Sequence, residues 1–118
     1  MSSGYNESGL SAGTQDIHRA LASMQEELEA IDYYQQRMEK SEDSELRALL
    51  EHNRDEEIEH AAMLFEWLRR NVPEFDKQAG TFLFSKGSLT HQEEATVSED
   101  KPATEGSAGN GLAIGNLK

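Results

Sequence analysis

The stretch Asp43-Ser-Glu-Leu-Arg-Ala-Leu-Leu-Glu-His-Asn-Arg-Asp-Glu-Glu-Ile-Glu-His-Ala-Ala-Met-Leu-Phe-Glu-Trp-Leu-Arg-Arg-Asn71 decides the fold. Its apolar positions are Leu46, Leu49/Leu50, Ala61, Leu64, Trp67 and Leu68. Steps of three and four between them are the signature of a helix with one apolar stripe. Continued through the gap, the same rhythm lands on Asn53, Glu57 and His60. A carboxylate and an imidazole on a core-facing stripe are costly to bury unless something binds them. The stretch therefore predicts a long helix that turns a binding pair inwards.

Upstream lies a second stripe: Ile17, Leu21, Met24, Leu28, Ile31, Tyr34 and Met38. Its spacing resembles that of a coiled coil and predicts a helix from Thr14 to about Lys40. Thr14 suits its N-cap and Asp16 the positive end of its dipole. Lys40-Ser-Glu-Asp-Ser44 is a short polar turn in which Asp43 can cap the second helix, and Pro73 stops that helix after Asn71. So short a turn makes the helices antiparallel neighbours. Phe75, Ala79 and Phe82 predict a short third helix packing on the hairpin. The fold class is all-α, with the folded part at 14–85. The Gly/Ser-rich residues 1–13 predict a disordered start, and residues 86–110 a flexible linker. Gly111-Leu-Ala-Ile-Gly-Asn-Leu-Lys118 then restores apolar character behind that tether, and reads as a peptide that docks on another protein rather than as core.

Composition narrows the functions. The chain has 118 residues, room for one small domain, and no cysteine, which excludes a disulfide scaffold, a thiolate nucleophile and an iron–sulfur cluster. It fits a cytosolic protein. No apolar run reaches membrane-spanning length, and Met1–Gly9 has no signal-peptide character. The net charge of −12 argues against a nucleic-acid partner. Such acidity either draws cations or simply keeps the protein soluble. Two helices cannot bury both stripes on each other, and Tyr33, Tyr34, Phe65 and Trp67 add further apolar surface. Pairing of hairpins into a four-helix arrangement is expected.

Glu27 shares a face with Met24 and Ile31, whereas Glu26 and Glu29 point elsewhere. Two hairpins would bring together two copies each of Glu27, Glu57 and His60. Four carboxylates and two imidazoles form the ligand set of a four-helix di-metal site, with Glu-x-x-His on two of the helices. Carboxylates can bridge hard cations and hold Fe(III), while neutral imidazole suits Fe(II). Two other readings fit the same residues: a structural adaptor with a polar register device at its seam, and a zinc or manganese protein. His18 reads as solvated, His52 as paired with Glu56 one turn on, and His91 as part of the linker. Arg69 and Arg70 suit the negative end of the helix dipole. Tyr34, one turn after Ile31, fits packing, a hydrogen bond to a carboxylate, or passage of an electron.

Met24-Gln-Glu-Glu-Leu-Glu-Ala-Ile-Asp-Tyr-Tyr-Gln-Gln-Arg37, His52-Asn-Arg-Asp-Glu-Glu-Ile-Glu-His-Ala-Ala-Met63 and Glu66-Trp-Leu-Arg-Arg-Asn71 resemble the encapsulated ferritins across residues 14–85. Leu112-Ala-Ile-Gly-Asn-Leu-Lys118 resembles the peptides that direct cargo into encapsulin shells, with Asn116 where a small serine is usual. The resemblance implies a half-ferritin: hairpins that pair to complete a di-iron ferroxidase centre and assemble into an annular decamer. Such a protein oxidises Fe(II) in the cytoplasm, inside an encapsulin nanocompartment whose shell holds the iron. By matched motif it implies Glu27, Glu57 and His60 as iron ligands, with Glu57 as the bridge. It also implies Glu26 and Glu29 as cation-binding residues on the approach, and Tyr34 beside the centre. Tyr33 stands where relatives often carry tryptophan, a departure that bears on metal approach and on packing between chains.

Overall fold

The computed structural model describes residues 4–98, and the expected docking peptide Gly111–Lys118 lies outside the described residues. Four helices follow in order: α1 (Ala12–Lys40), α2 (Ser44–Asn71), α3 (Pro73–Phe82) and α4 (Leu89–Ser98). No strand occurs among the described residues.

The chain divides into a unit up to Leu68 and another from Arg69 onward. In the first, α1 and α2 form an antiparallel hairpin, as their cross-links demonstrate. Arg47 Nε donates to the Met38 carbonyl at 3.3 Å beside the turn. Arg54 Nη1 donates to Gln35 Oε1 at 2.6 Å, and His60 Nδ1 lies 3.5 Å from Glu27 Oε1 further along. Residue numbers fall on α1 as they rise on α2. The turn itself is defined by capping. Ser41 N–H donates to the Arg37 carbonyl at 3.0 Å, closing α1. Asp43 Oδ2 accepts the Leu46 N–H at 2.8 Å, opening α2 as expected.

At the other end of α1 the cap is Ser11 rather than Thr14, and the helix starts two residues earlier than predicted. Ser11 Oγ accepts the Thr14 N–H at 3.2 Å, so Thr14 contributes a backbone donor instead. Asp16 falls beyond the first turn and pairs with Arg19 at 2.7 Å. The two hydroxyl residues are interchangeable as caps in a sequence reading, and only the backbone path distinguishes them. Ser11→Ala and Asp43→Ala are each expected to cost about 1 kcal/mol, and Thr14→Ala a few tenths at most. Thermal unfolding of the three variants checks the order.

The tail end of α2 and the next two helices make up the second unit. Val72 is extended (φ −127°, ψ 105°), as the residue before a proline prefers, and Pro73 opens α3 at a position where no N–H is missed. Phe75 and Phe82 are half-buried on either side of buried Ala79, the expected face. Arg69 pairs with Asp76, so it bridges α2 to α3 besides facing the helix dipole. The expected linker begins instead with α4, which also carries His91. Ser88 Oγ caps it by accepting the His91 N–H at 3.2 Å, and Gln92 Nε2 reaches back to the Lys86 carbonyl at 2.6 Å. A helix held by caps rather than by an apolar stripe leaves no periodicity to detect.

Among the described residues only Ala20, Ala61, Leu68 and Ala79 are buried apolar side chains. Of the apolar stripe of α1, positions 17, 24, 31, 34 and 38 are less exposed, as are Ala20 and Glu27 beside them. Leu21 and Leu28, expected on the same stripe, are exposed, as are Leu46, Leu49 and Trp67 of α2. The predicted stripe thus spans two adjacent columns of side chains, and one chain shelters only one of them. An apolar band wider than a single neighbour can cover requires further helices.

Candidate metal centre

The sheltered columns of α1 and α2 carry polar groups at one level. Glu27 follows Met24 and precedes Ile31 on α1, while Glu57 and His60 lie one turn apart between Leu50 and Leu64 on α2. Antiparallel packing sets these levels opposite each other. One ligand atom from each of Glu27, Glu57 and His60 lies within 4.8 Å of the others. His60 Nδ1 is 3.5 Å from both Glu27 Oε1 and Glu57 Oε1. The carboxylates are mostly sheltered, with side-chain exposures of 23 % and 25 %, and His60 presents an edge to solvent at 44 %.

Two carboxylates turned toward each other do not both stay ionised comfortably. The Glu27 carboxyl is held above the usual range, first by its hydrogen bond with Glu57, then by burial and by the Glu57 charge. The His60 cation pulls the other way without prevailing. For His60 the largest single influence, burial, lowers its pKa, but the charges and hydrogen bonds of Glu27 and Glu57 together raise it. The cluster therefore binds protons more readily than free side chains do, at a place where it could hold a cation. Two hard oxygen donors and one imidazole, converging, fit a divalent transition metal such as iron.

The sign of the pH dependence follows. Both groups have folded pKa values above their unfolded ones, so the folded state binds extra protons. Their contribution to stability is complete below the unfolded values of about 4.3 and 6.5, and is lost as pH rises through the folded ones. Solvent access at His60 keeps its share small. A metal must displace these protons and binds more tightly as pH rises. The gain in melting temperature on adding Mn(II) to chelator-treated protein is expected to grow between about pH 5.5 and 7.5. A gain that does not vary with pH would place the ion elsewhere.

The other expected site residues are not in the cluster. Glu26 and Glu29 are exposed, and Glu29 Oε2 accepts the Tyr33 hydroxyl at 3.0 Å. Tyr34 is half-buried in the α1 column. The Arg37 guanidinium carbon lies 5.6 Å from its ring centroid and 5.7 Å from that of Tyr33. His52 pairs with Glu56 at 3.2 Å on the surface, as read from the sequence. His18, expected to be solvated, is half-buried with Tyr5 against it, ring centroids 4.5 Å apart. The Arg54–Gln35 bridge, one turn from Glu57, was not anticipated. A long polar side chain on a helix face gives no sequence signal for its partner across a hairpin.

Known proteins resemble the chain along most of its length. Residues 4–86 match the family described as EncFtn-like. An encapsulated ferritin-like protein of Rhodospirillum rubrum is 47 % identical over 111 residues, spanning 89 % of this chain and 79 % of that protein. A ferritin-like protein of Thermotoga maritima is 49 % identical over 98 residues, 81 % of this chain and 86 % of that one. The crystal structure of a Nitrosomonas europaea protein superposes with a TM-score of 0.71 at 53 % identity, covering 75 % of this chain and 99 % of that one.

Proposed function

We propose that this chain, which belongs to the EncFtn-like family, oxidises Fe(II) at a centre shared by two copies and releases Fe(III) inside an encapsulin shell. The observation that carries this reading is the convergence of Glu27, Glu57 and His60 within 4.8 Å. Three donor groups from one chain leave a transition metal short of ligands. A two-fold pair of hairpins supplies four carboxylates and two imidazoles, enough for two irons, with Glu57 as the bridging carboxylate. Exposed Leu21, Leu28, Leu46, Leu49 and Trp67 support such pairing.

Iron is the substrate in this scheme. Each Fe(II) loses one electron, and dioxygen accepts the electrons together with protons. A proton held by Glu27 or His60 is displaced when the cation arrives, and the solvent-facing edge of His60 offers it a way out. The carboxylates then favour the more highly charged Fe(III) over Fe(II). Glu26 and Glu29, both exposed, would concentrate cations on the approach. Tyr34 would line the centre; the cation over its ring disfavours removal of an electron, so its role is packing and orientation.

A register device at a helical seam would not need two carboxylates facing each other, which weighs against the adaptor reading. Zinc would suit the same donors but has no electron to give dioxygen; manganese would suit them too, and comparing oxidation of Mn(II) with that of Fe(II) distinguishes the two. The name of the Rhodospirillum relative and the sequence Leu112–Lys118 support docking of the tail on an encapsulin shell. Several tails per annular decamer would add avidity. Native mass spectrometry during an anaerobic Fe(II) titration tests the shared site. Iron is expected in even-numbered assemblies that contain it in pairs, whereas iron held by single chains would contradict sharing.

A further inference from the structure

Two Fe(II) ions supply two electrons, enough to take dioxygen to hydrogen peroxide but not to water, which requires four. On the proposed function, peroxide therefore leaves a centre that further Fe(II) is approaching. Those two react with each other. Fe(II) gives one electron, the O–O bond breaks, and Fe(III), hydroxide and a hydroxyl radical result. Such a radical attacks the nearest side chain, so the neighbours of an approaching iron matter.

Beside Glu29 stands Tyr33, whose hydroxyl donates to Glu29 Oε2 at 3.0 Å. No other hydrogen bond or ion pair engages the Glu29 carboxylate among the described residues, and its second oxygen has lone pairs for a cation. The same group can thus hold Fe(II) and fix a phenol next to it. Tyr33 is 45 % exposed, open to peroxide from solvent, and a phenol keeps its hydrogen at neutral pH. The Arg37 guanidinium carbon lies 5.7 Å from the Tyr33 ring centroid. A cation there opposes loss of an electron alone, because the ring would become positive beside it. Loss of a whole hydrogen atom creates no charge and stays open. Tyr34 lies under the same cation at 5.6 Å, but it is half-buried and no carboxylate accepts from its hydroxyl among the described residues.

We infer that Tyr33 is a radical-quenching residue: it disarms hydroxyl radical formed at Glu29 and is restored by Fe(II). In the first step the radical takes the phenolic hydrogen, giving water and a neutral phenoxyl radical. In the second, Fe(II) gives that phenoxyl one electron, a solvent proton restores the O–H bond, and Fe(III) is left. With the peroxide cleavage included, one hydrogen peroxide, two Fe(II) and two protons become two waters and two Fe(III). The Arg37 charge assists the second step, since it favours adding an electron to the ring. The activity is removal of peroxide with iron as reductant, at a place that contains none of Glu27, Glu57 and His60. It rests on the proposed function for its peroxide and for the role of Glu29 on the cation approach.

The test uses the full chain carrying Glu57→Ala, which disables the centre, mixed anaerobically with Fe(II) and added hydrogen peroxide. Rapid-freeze electron paramagnetic resonance is expected to show a phenoxyl radical that Tyr33→Phe abolishes and Tyr34→Phe leaves in place. A nitrone spin trap is expected to collect several-fold more hydroxyl adduct from the Tyr33→Phe protein. Glu29→Gln still accepts the Tyr33 hydrogen bond but lacks the charge that holds Fe(II), and is expected to lose the phenoxyl signal. A signal carried by Tyr34, no signal, a signal that survives Glu29→Gln, or equal adduct with and without the Tyr33 hydroxyl would overturn the proposal. Because peroxide is supplied and Glu57 is absent, these outcomes concern Tyr33 and Glu29 alone. Failure of the shared centre would show instead as slow oxidation by the unsubstituted protein in air.

Discussion

Glu57→Ala is expected to reduce iron oxidation to the rate in buffer while leaving the helical fold standing. Glu57 Oε1 lies 3.5 Å from His60 Nδ1, and its hydrogen bond with Glu27 is the largest influence that raises the pKa of that carboxyl. Loss of a bridging carboxylate removes a ligand from both irons. The effect should therefore exceed the roughly 10–100-fold cost of deleting an outer partner of a metal ligand. Alanine is the best helix former, and deletion relieves a contact between two acids, so the metal-free variant has no reason to melt earlier. His60→Ala should behave alike, and Glu57→Gln should fail too, because it keeps the shape without the charge. Circular dichroism beside an oxygen-electrode assay separates these effects. Wild-type oxidation rates in either alanine variant would remove Glu57 and His60 from the centre.

Deletion of Gly111–Lys118 is expected to have the opposite profile. Oxidation by the purified protein should be unchanged, since no proposed ligand lies beyond His60. Co-purification with a co-expressed encapsulin shell should be lost. If each tail contributes a weak, independent contact, avidity makes the loss steep: losing every tail should lower loading by about 10²-fold or more. Attaching residues 111–118 to an unrelated soluble protein is the converse experiment, and shell capture of that fusion is expected. A truncated chain that still fills shells would assign docking to some other surface.

What could be read from the sequence, and what could not, follows a physical division. Glu57 and His60 were legible because they interrupt an apolar stripe at helical spacing, and Glu27 because it lies between Met24 and Ile31. Asp43 and Pro73 marked helix ends through chemistry local to a few residues. Choosing between Ser11 and Thr14 required the path of the chain, which neither side chain determines alone. Helix α4 was missed because Ser88 and Gln92 hold it together by hydrogen bonds that leave no apolar rhythm. Leu21 and Leu28 were legible as members of an apolar stripe too wide for one hairpin to bury, but not as the particular side chains left exposed. Spacing shows that a face is apolar, but the number of chains needed to cover it depends on assembly. Likewise the raised pKa of Glu27 beside Glu57 arises from two helices meeting at one level, a relation between residues thirty positions apart.

The central claim is a di-iron centre shared by two chains, and its stoichiometry is the most direct test. Metal-free protein would be loaded anaerobically with increasing Fe(II), air admitted, and Fe(III) absorbance followed with dissolved oxygen. A fast phase that saturates at one iron per chain, two per pair, is the predicted result. Oxidation no faster than in buffer, or a fast phase with no break at that ratio, would contradict it.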